Sequence, residues 1–195
     1  MQALPEPMPK ALKKAPTPEV KISPALSLLA RPGDGSIKGR KVAIIVADGI
    51  KGESVLALHQ ALFAEEAVPR FVAPRIGPIQ TADGTDINAD ASLENEPGFL
   101  FDALALPDGE EGVRLLASEG HVAEFIKDQY RHCKPILVMP ASSLLMSNAQ
   151  IPTLLPSGDP DPGILMDVGT ESFDNFITAI ARHRHPERET DPPLV

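Results

Sequence analysis

The run KVAIIVA, from Lys41 to Ala47, decides the architecture of this 195-residue chain more than any other segment. After its first lysine it is continuously apolar and rich in Val and Ile. That pattern suits a strand buried on both faces, because a strand with one wet face would alternate apolar and polar residues. A turn at Asp48-Gly49 follows. GESVLALHQALFAEEA then places Val55, Leu58 and Leu62 at helical spacing, with Leu56 and Phe63 beside them and Glu65 and Glu66 on the outer side. RFVA (70–73), DALAL (102–106), ILVM (136–139) and GILMDV (163–168) read as further strands. HVAEFIKDQYRHC reads as a helix with Val122, Phe125, Ile126 and Gln129 or Tyr130 on one stripe, and ESFDNFITAIARHRH as another that buries Phe173, Phe176, Ile177 and Ile180. Between them, PIQTADGTDINAD sets Asp83-Gly84 between two short alternating runs, the pattern of a small β-hairpin near 78–88.

Strands alternating with helices imply an α/β fold, a flavodoxin-like, doubly wound, mostly parallel sheet with helices on both faces. The charge is unevenly spread. Residues 1–40 hold 7 Pro, 7 basic and 3 acidic residues, a net +4, which leaves −13 of the total −9 to the rest of the chain. Prolines at that density defeat both helix and sheet, so residues 1–40 read as an extended basic linker arm, 41–185 as the folded domain and 186–195 as a flexible tail. An acidic folded domain lacks the basic surface that phosphate contacts need, so no nucleic-acid partner is expected. No run of roughly 18 apolar residues occurs, and the first stretch lacks the apolar core of a signal peptide, so no membrane role is expected either. The single cysteine, Cys133, excludes an internal disulfide framework and fits a soluble, cytoplasmic chain.

In such sheets, ligands and catalytic groups collect at the carboxyl ends of the strands. Three stretches qualify: Ala47 to Gly52, Leu106-Pro107-Asp108-Gly109, and Val138-Met139-Pro140-Ala141-Ser142-Ser143. The first lacks the glycine spacing of a dinucleotide fingerprint or a P-loop. The second reads as a simple chain reversal, and the third as a strand running sharply into a helix. Ser142 and Ser143 have no visible His and Asp partners. His183 and His185 lie at an Arg-rich helix end, where cations suit the helix dipole, so capping outranks metal binding. DPDPG (159–163) reads as a turn-rich loop rather than a cation site. Cys133, flanked by Arg131, His132 and Lys134, is a possible reactive thiol, with a structural thiol the plainer reading.

KGRKVAIIVADGI, TADGTDINAD, LFDALALPDG and FIKDQYRHCKPI occur in this order, and together they resemble the carboxyl-terminal domain of large-subunit heme catalases. LPEPMP and SPALSLL in the arm are similar to the segment that joins that domain to the catalase core, so the resemblance runs from about Leu4 to the end. That domain is in turn similar to PfpI-type proteases and class I glutamine amidotransferases. Active members of that wider group place a cysteine nucleophile on a strained strand-to-helix turn, supported by an acidic residue from the first turn. The comparison sets Met139 at the nucleophile with Pro140 after it, Lys51 at the acidic position with Glu53 nearby, and Asp108 at the first glycine of the oxyanion turn. The resemblance therefore implies a degenerate site with no catalytic residues, no metal and no cofactor of its own, heme belonging to the parent catalase. Tyr130, the single tyrosine, is expected to be a packing residue. The implied role is stabilisation of the catalase subunit and its tetramer, or chaperone-like binding of unfolded client proteins. The alternatives are a residual amidase, protease or glyoxalase-like activity, or a redox-sensing thiol.

Overall fold

The computed structural model describes residues 17, 23–27, 33–166 and 171–188. The chain divides into two compact units, residues 1–31 and 32–195. In the first, residues 23–27 form a turn closed by the Leu26 N–H donating to Ser23 O at 3.0 Å; apart from residue 17, the other residues of this unit lie outside the described residues. The second begins before Lys41, because Ile37 is buried in the core and the Gly39 N–H donates to Glu66 O.

In chain order the elements are β1 (Lys41–Ile45), α1 (Gly52–Ala64), β2 (Val68–Ala73), β3 (Gly77–Gln80), β4 (Asp86–Ala89), β5 (Ala91–Ser92), β6 (Ala103–Leu106), α2 (Glu110–Ala117), α3 (Gly120–Arg131), β7 (Ile136–Val138), α4 (Ser143–Asn148), β8 (Ile164–Met166) and α5 (Ser172–Ala181). Short 3-10 turns lie at Gly98–Leu100, Pro140–Ser142 and Pro186–Arg188. The six strands of the main sheet run in the order β5-β2-β1-β6-β7-β8 with every neighbour parallel. β3 and β4 pair antiparallel, Ile79 opposite Ile87, as the expected hairpin.

The apolar run has the predicted consequence. Ala43 and Ile45 face one layer of core, with Leu104, Leu106, Ile136 and Val138, under Val113 and Leu116 of α2, Val122, Phe125 and Ile126 of α3, and Leu145 of α4. Val42, Ile44 and Val46 face the other, with Ala105 and Leu137, under Val55, Leu58 and Leu62 of α1 and Phe176 and Ile180 of α5. Each fully buried Val, Leu, Ile or Phe contributes about 1.5–3 kcal/mol, so these two layers dominate the folding energy.

The structure corrects the sequence reading in several places. Phe63 is 69% exposed, because it lies at the end of α1 outside the Val55, Leu58, Leu62 stripe. Leu106-Pro107-Asp108-Gly109 is not a simple reversal: it feeds α2, a helix of 8 residues too short to announce itself by periodicity. Nor are 186–188 part of a loose tail, since Arg188 is buried against Asp161, with their charged groups 2.9 Å apart. Within the DPDPG loop, that pair buries Asp161. The Asp167-Val168 end of GILMDV falls outside the described residues.

Candidate functional site

The carboxyl ends of β1, β6 and β7 converge, and a single carboxylate ties them together. Asp108 follows β6; its backbone oxygen accepts the Lys51 N–H at 2.9 Å. Its side chain takes the Lys51 ammonium on Oδ2 at 2.6 Å and the Ala141 N–H on Oδ1 at 3.1 Å. Ser142 Oγ donates to Pro107 O, and the Met139 N–H to Leu106 O at 3.2 Å. The four residues assigned to the degenerate site, Lys51, Asp108, Met139 and Pro140, thus lie on adjoining turns.

Local sequence explains how each is held. α1 has no capping side chain at Lys51; instead Asp83 of the β3–β4 loop accepts the Glu53 N–H at 2.9 Å, and that bond lowers the Asp83 pKa well below its ordinary value. Glu53, the alternative acid, is exposed on the first turn of α1. Gly109 has φ 107, and a Cβ there would lie 2.7 Å from Lys51 N and 2.8 Å from Ile50 Cα, so only glycine lets the second turn press on the first. Gly112 serves the same approach, since its Cβ would fall 2.4 Å from Ile50 Cγ2.

The electrostatics follow from exposure. Lys51 is 60% exposed and Asp108 15% at the side chain, so solvent screens their ion pair and it adds little stability by itself. Burial pushes the Asp108 carboxyl up, but donation from Lys51, Gly109 and Ala141 outweighs it and leaves the pKa below the ordinary value. The hydrogen bond and the charge of Asp108 raise that of Lys51 in turn. Asp108 is therefore an anion at neutral pH, held by the Lys51 ammonium, the Gly109 amide of its own turn and the Ala141 amide.

Met139 is fully buried, with φ −72 and ψ 159. The strained turn of active relatives is not formed, because a residue before proline is driven to extended backbone. Pro140 also removes the N–H that the residue after a nucleophile would offer an oxyanion. A thioether has no proton to lose, so this turn offers a methyl-capped sulfur packed in the α1 and α5 layer.

Beside these turns a groove of about 510 Å³ opens over the ends of β1 and β2, bounded by Pro74, Ile76, Pro78 and Leu115, with Asp48 and Glu119 at its polar side. Ile76 and Leu115 are 61% and 50% exposed. No periodic signal in the sequence marks these residues, because isolated exposed apolar positions carry none.

Cys133 lies at the opposite end of β7 from Met139, 4% exposed. It has φ 55 and ends α3: its N–H donates to Tyr130 O and the Lys134 N–H to Gln129 O, both at 3.0 Å, the pairing of a left-handed helix stop normally made by glycine. Tyr130 is buried on α3, the Arg188 guanidinium 4.7 Å from its ring centre. His183 and His185 are not charged caps as expected. α5 ends at Ala181, and His185 is fully buried, burial holding its pKa below the ordinary value. Among the described residues, no group of three or more His, Cys, Asp or Glu is placed to hold a metal ion, and no helix is long and apolar enough to cross a membrane.

Comparison with known proteins adds the following. A family described as a C-terminal domain found in long catalases matches residues 38–190. The chain is 34% identical over 167 residues to Catalase HPII of Pseudomonas putida, covering 86% of this chain and 22% of that protein. It is 32% identical over 194 residues to Catalase C of Rhizobium meliloti, covering 100% and 26%. The chain thus spans about a quarter of the length of these curated relatives. Among solved structures it is similar to Schizosaccharomyces pombe DJ-1, with TM-score 0.59, 18% identity, and coverage of 70% of this chain and 87% of that one. A ThiJ/PfpI domain protein from Brachyspira murdochii aligns with TM-score 0.61 and 18% identity, covering 74% and 95%. At that identity these two share the fold.

Proposed function

The chain belongs to the family of C-terminal domains found in long catalases, and from that membership we propose that it is a non-catalytic part of a larger heme catalase, whose hydrogen peroxide chemistry resides in the rest of the polypeptide. In this reading the domain stabilises the catalase subunit and its tetramer and shapes access to the heme. The observation that carries it is the Asp108 clamp. Where a hydrolytic relative would present a thiolate, this chain has a buried thioether, and the nearby Ala141 N–H already serves an internal carboxylate. A fixed anion there opposes any negative charge developing on a substrate. Heme does not fit the residues present: the only tyrosine, Tyr130, is buried beneath a guanidinium rather than facing an open pocket.

The test is deletion. In a long catalase carrying this domain, removal of the residues matching 38–190 is expected to lower the thermal midpoint and the half-life on heating. Unchanged heat resistance together with unchanged turnover would overturn the stabilising role. The isolated chain, mixed with hemin, is expected to show neither a Soret band nor oxygen release from peroxide. Turnover of amide, peptide or glyoxal substrates that depended on Met139 would overturn the non-catalytic reading.

One observation favours a second reading, the chaperone-like holdase: Ile76 and Leu115 are exposed apolar side chains at a groove that also carries Asp48 and Glu119. Suppression of a client's aggregation at near-stoichiometric ratio, lost on Ile76→Glu with Leu115→Glu, supports it, and no suppression by the native chain removes it.

A further inference from the structure

After α5 the chain crosses back beneath the amino-terminal end of β7 and is fastened there by two residues. His185 is fully buried, and its backbone N–H donates to Cys133 O at 2.8 Å. Arg188 meets Asp161 at 2.9 Å and donates to Lys134 O at 2.9 Å and to Tyr130 O at 3.4 Å. Between them, Pro186–Arg188 forms one 3-10 turn, closed by a long 3.4 Å bond from the Arg188 N–H to His185 O. The turn has little cohesion of its own, so its two anchors decide whether it stays down.

We propose that His185 makes residues 185–188 a proton-sensitive latch, closed while the imidazole is neutral and released when it is protonated. The geometry assigns the tautomer. Nε2 lies 3.3 Å from Ala179 O, a carbonyl that needs a donor, so Nε2 carries the proton and Nδ1 is bare. Nδ1 is buried with no hydrogen-bond partner. A second proton would therefore put both a charge and an unanswered donor in a dry site. The ring lies against Gly163, where even an added Cβ would be 2.8 Å from the imidazole Cγ.

The charged neighbours offer no rescue. Arg182, just after α5, and Arg188, in the 3-10 turn, both disfavour a charged imidazole. Asp161, from the loop before β8, favours it, but both of its carboxylate oxygens already meet Arg188. Glu187 is taken by Arg182 at 3.2 Å. On the α3 side, Tyr130 packs against the Arg188 guanidinium, and the Lys134 ammonium after it is turned to Phe99 O and Phe101 O. Burial, then Arg188 and Arg182, hold the His185 pKa below its ordinary value, whereas the opened turn exposes an imidazole of ordinary value near 6.5. Opening thus takes up a proton, and it grows as pH falls below about 6.5, by up to tenfold per unit, until the closed form itself protonates.

Amide hydrogen exchange of the native chain between pH 7.5 and 5 tests this, with the intrinsic exchange rate divided out at each pH. The protection of the His185 and Arg188 amides is expected to fall toward tenfold per unit below about pH 6.5 while that of β1 and β6 holds. In His185→Gln the pH dependence at Arg188 is expected to vanish; in Asp161→Asn the turn should be open at every pH. Equal protection of the latch at both ends of the range, or a fall in step with β1, or an unchanged fall in His185→Gln, overturns the proposal. If His185→Gln does not fold, ring NMR of the native chain decides: a His185 midpoint well below 6.5 supports the latch and one at or above 6.5 overturns it.

Discussion

Asp108 joins three turns through one carboxylate, and its two oxygens have separable roles. Oδ1 answers a backbone amide that would otherwise lose its partner, while Oδ2 meets an exposed ammonium. Asp108→Ala is expected to cost about 1–3 kcal/mol in urea unfolding at pH 7, because it leaves the Ala141 N–H without its acceptor. Asp108→Asn keeps an acceptor there and should cost distinctly less; equal costs would mean that the Lys51 pair, not the amide, is the anchor. The pH sign follows from the lowered pKa of Asp108. Its stabilisation is present above the ordinary carboxylate range and is lost as pH falls through the depressed value, so native chain and Asp108→Asn should converge in acid. Lys134 works in the opposite sense. Burial lowers its pKa to about 8, so the native chain should gain stability over Lys134→Met as pH rises from about 8 toward 10.5, checked by urea midpoints across that range. The roles of Met139 and Pro140 were legible from the resemblance alone; the clamp was not, because Lys51 and Asp108 stand 57 positions apart and meet only when β1 and β6 pair.

The stop of α3 shows how an element can mislead a sequence reader. Cys133 among basic neighbours suggests a reactive thiol, yet its backbone sits where glycine usually stands, and the side chain is buried in consequence. Cys133→Gly relieves a left-handed residue worth about 1–2 kcal/mol and loses a small buried side chain, so its thermal midpoint should stay close to that of the native chain. Cys133→Val adds a β-branch at positive φ and should destabilise by more than about 2 kcal/mol. A thiol-selective reagent should label the native chain far more slowly than the urea-unfolded one; rapid native labelling would restore the redox-sensing reading. The stripes of α1, α3 and α5 were legible because each buries one face against the sheet. α2 was not, since 8 residues carry barely two turns of pattern and its start is set by contacts of Gly109 and Gly112 with the first turn.

In the second unit, Asp161–Arg188 is the most deeply buried ion pair among the described residues, tying the chain after α5 to α3 and to the approaches to β7 and β8. Removing one partner strands the other, so Arg188→Met is expected to cost about 3–5 kcal/mol by calorimetry or urea unfolding, and a loss under about 1 kcal/mol would show the pair to be solvated in solution. By itself the sequence determined the parallel sheet, the two apolar layers and the hairpin, because burial on both faces of a strand and on one stripe of a helix is written locally, at periods of 2 and 3.6 residues. It also determined that the turn after β7 carries a thioether and a proline. The tertiary structure alone decided that Asp108 closes that turn, that Asp161 and Arg188 meet in the interior, and that His185 is sealed beneath them. Each of these depends on charged or polar groups distant in the chain, and such residues read as surface until folding supplies the partner that lets them leave water.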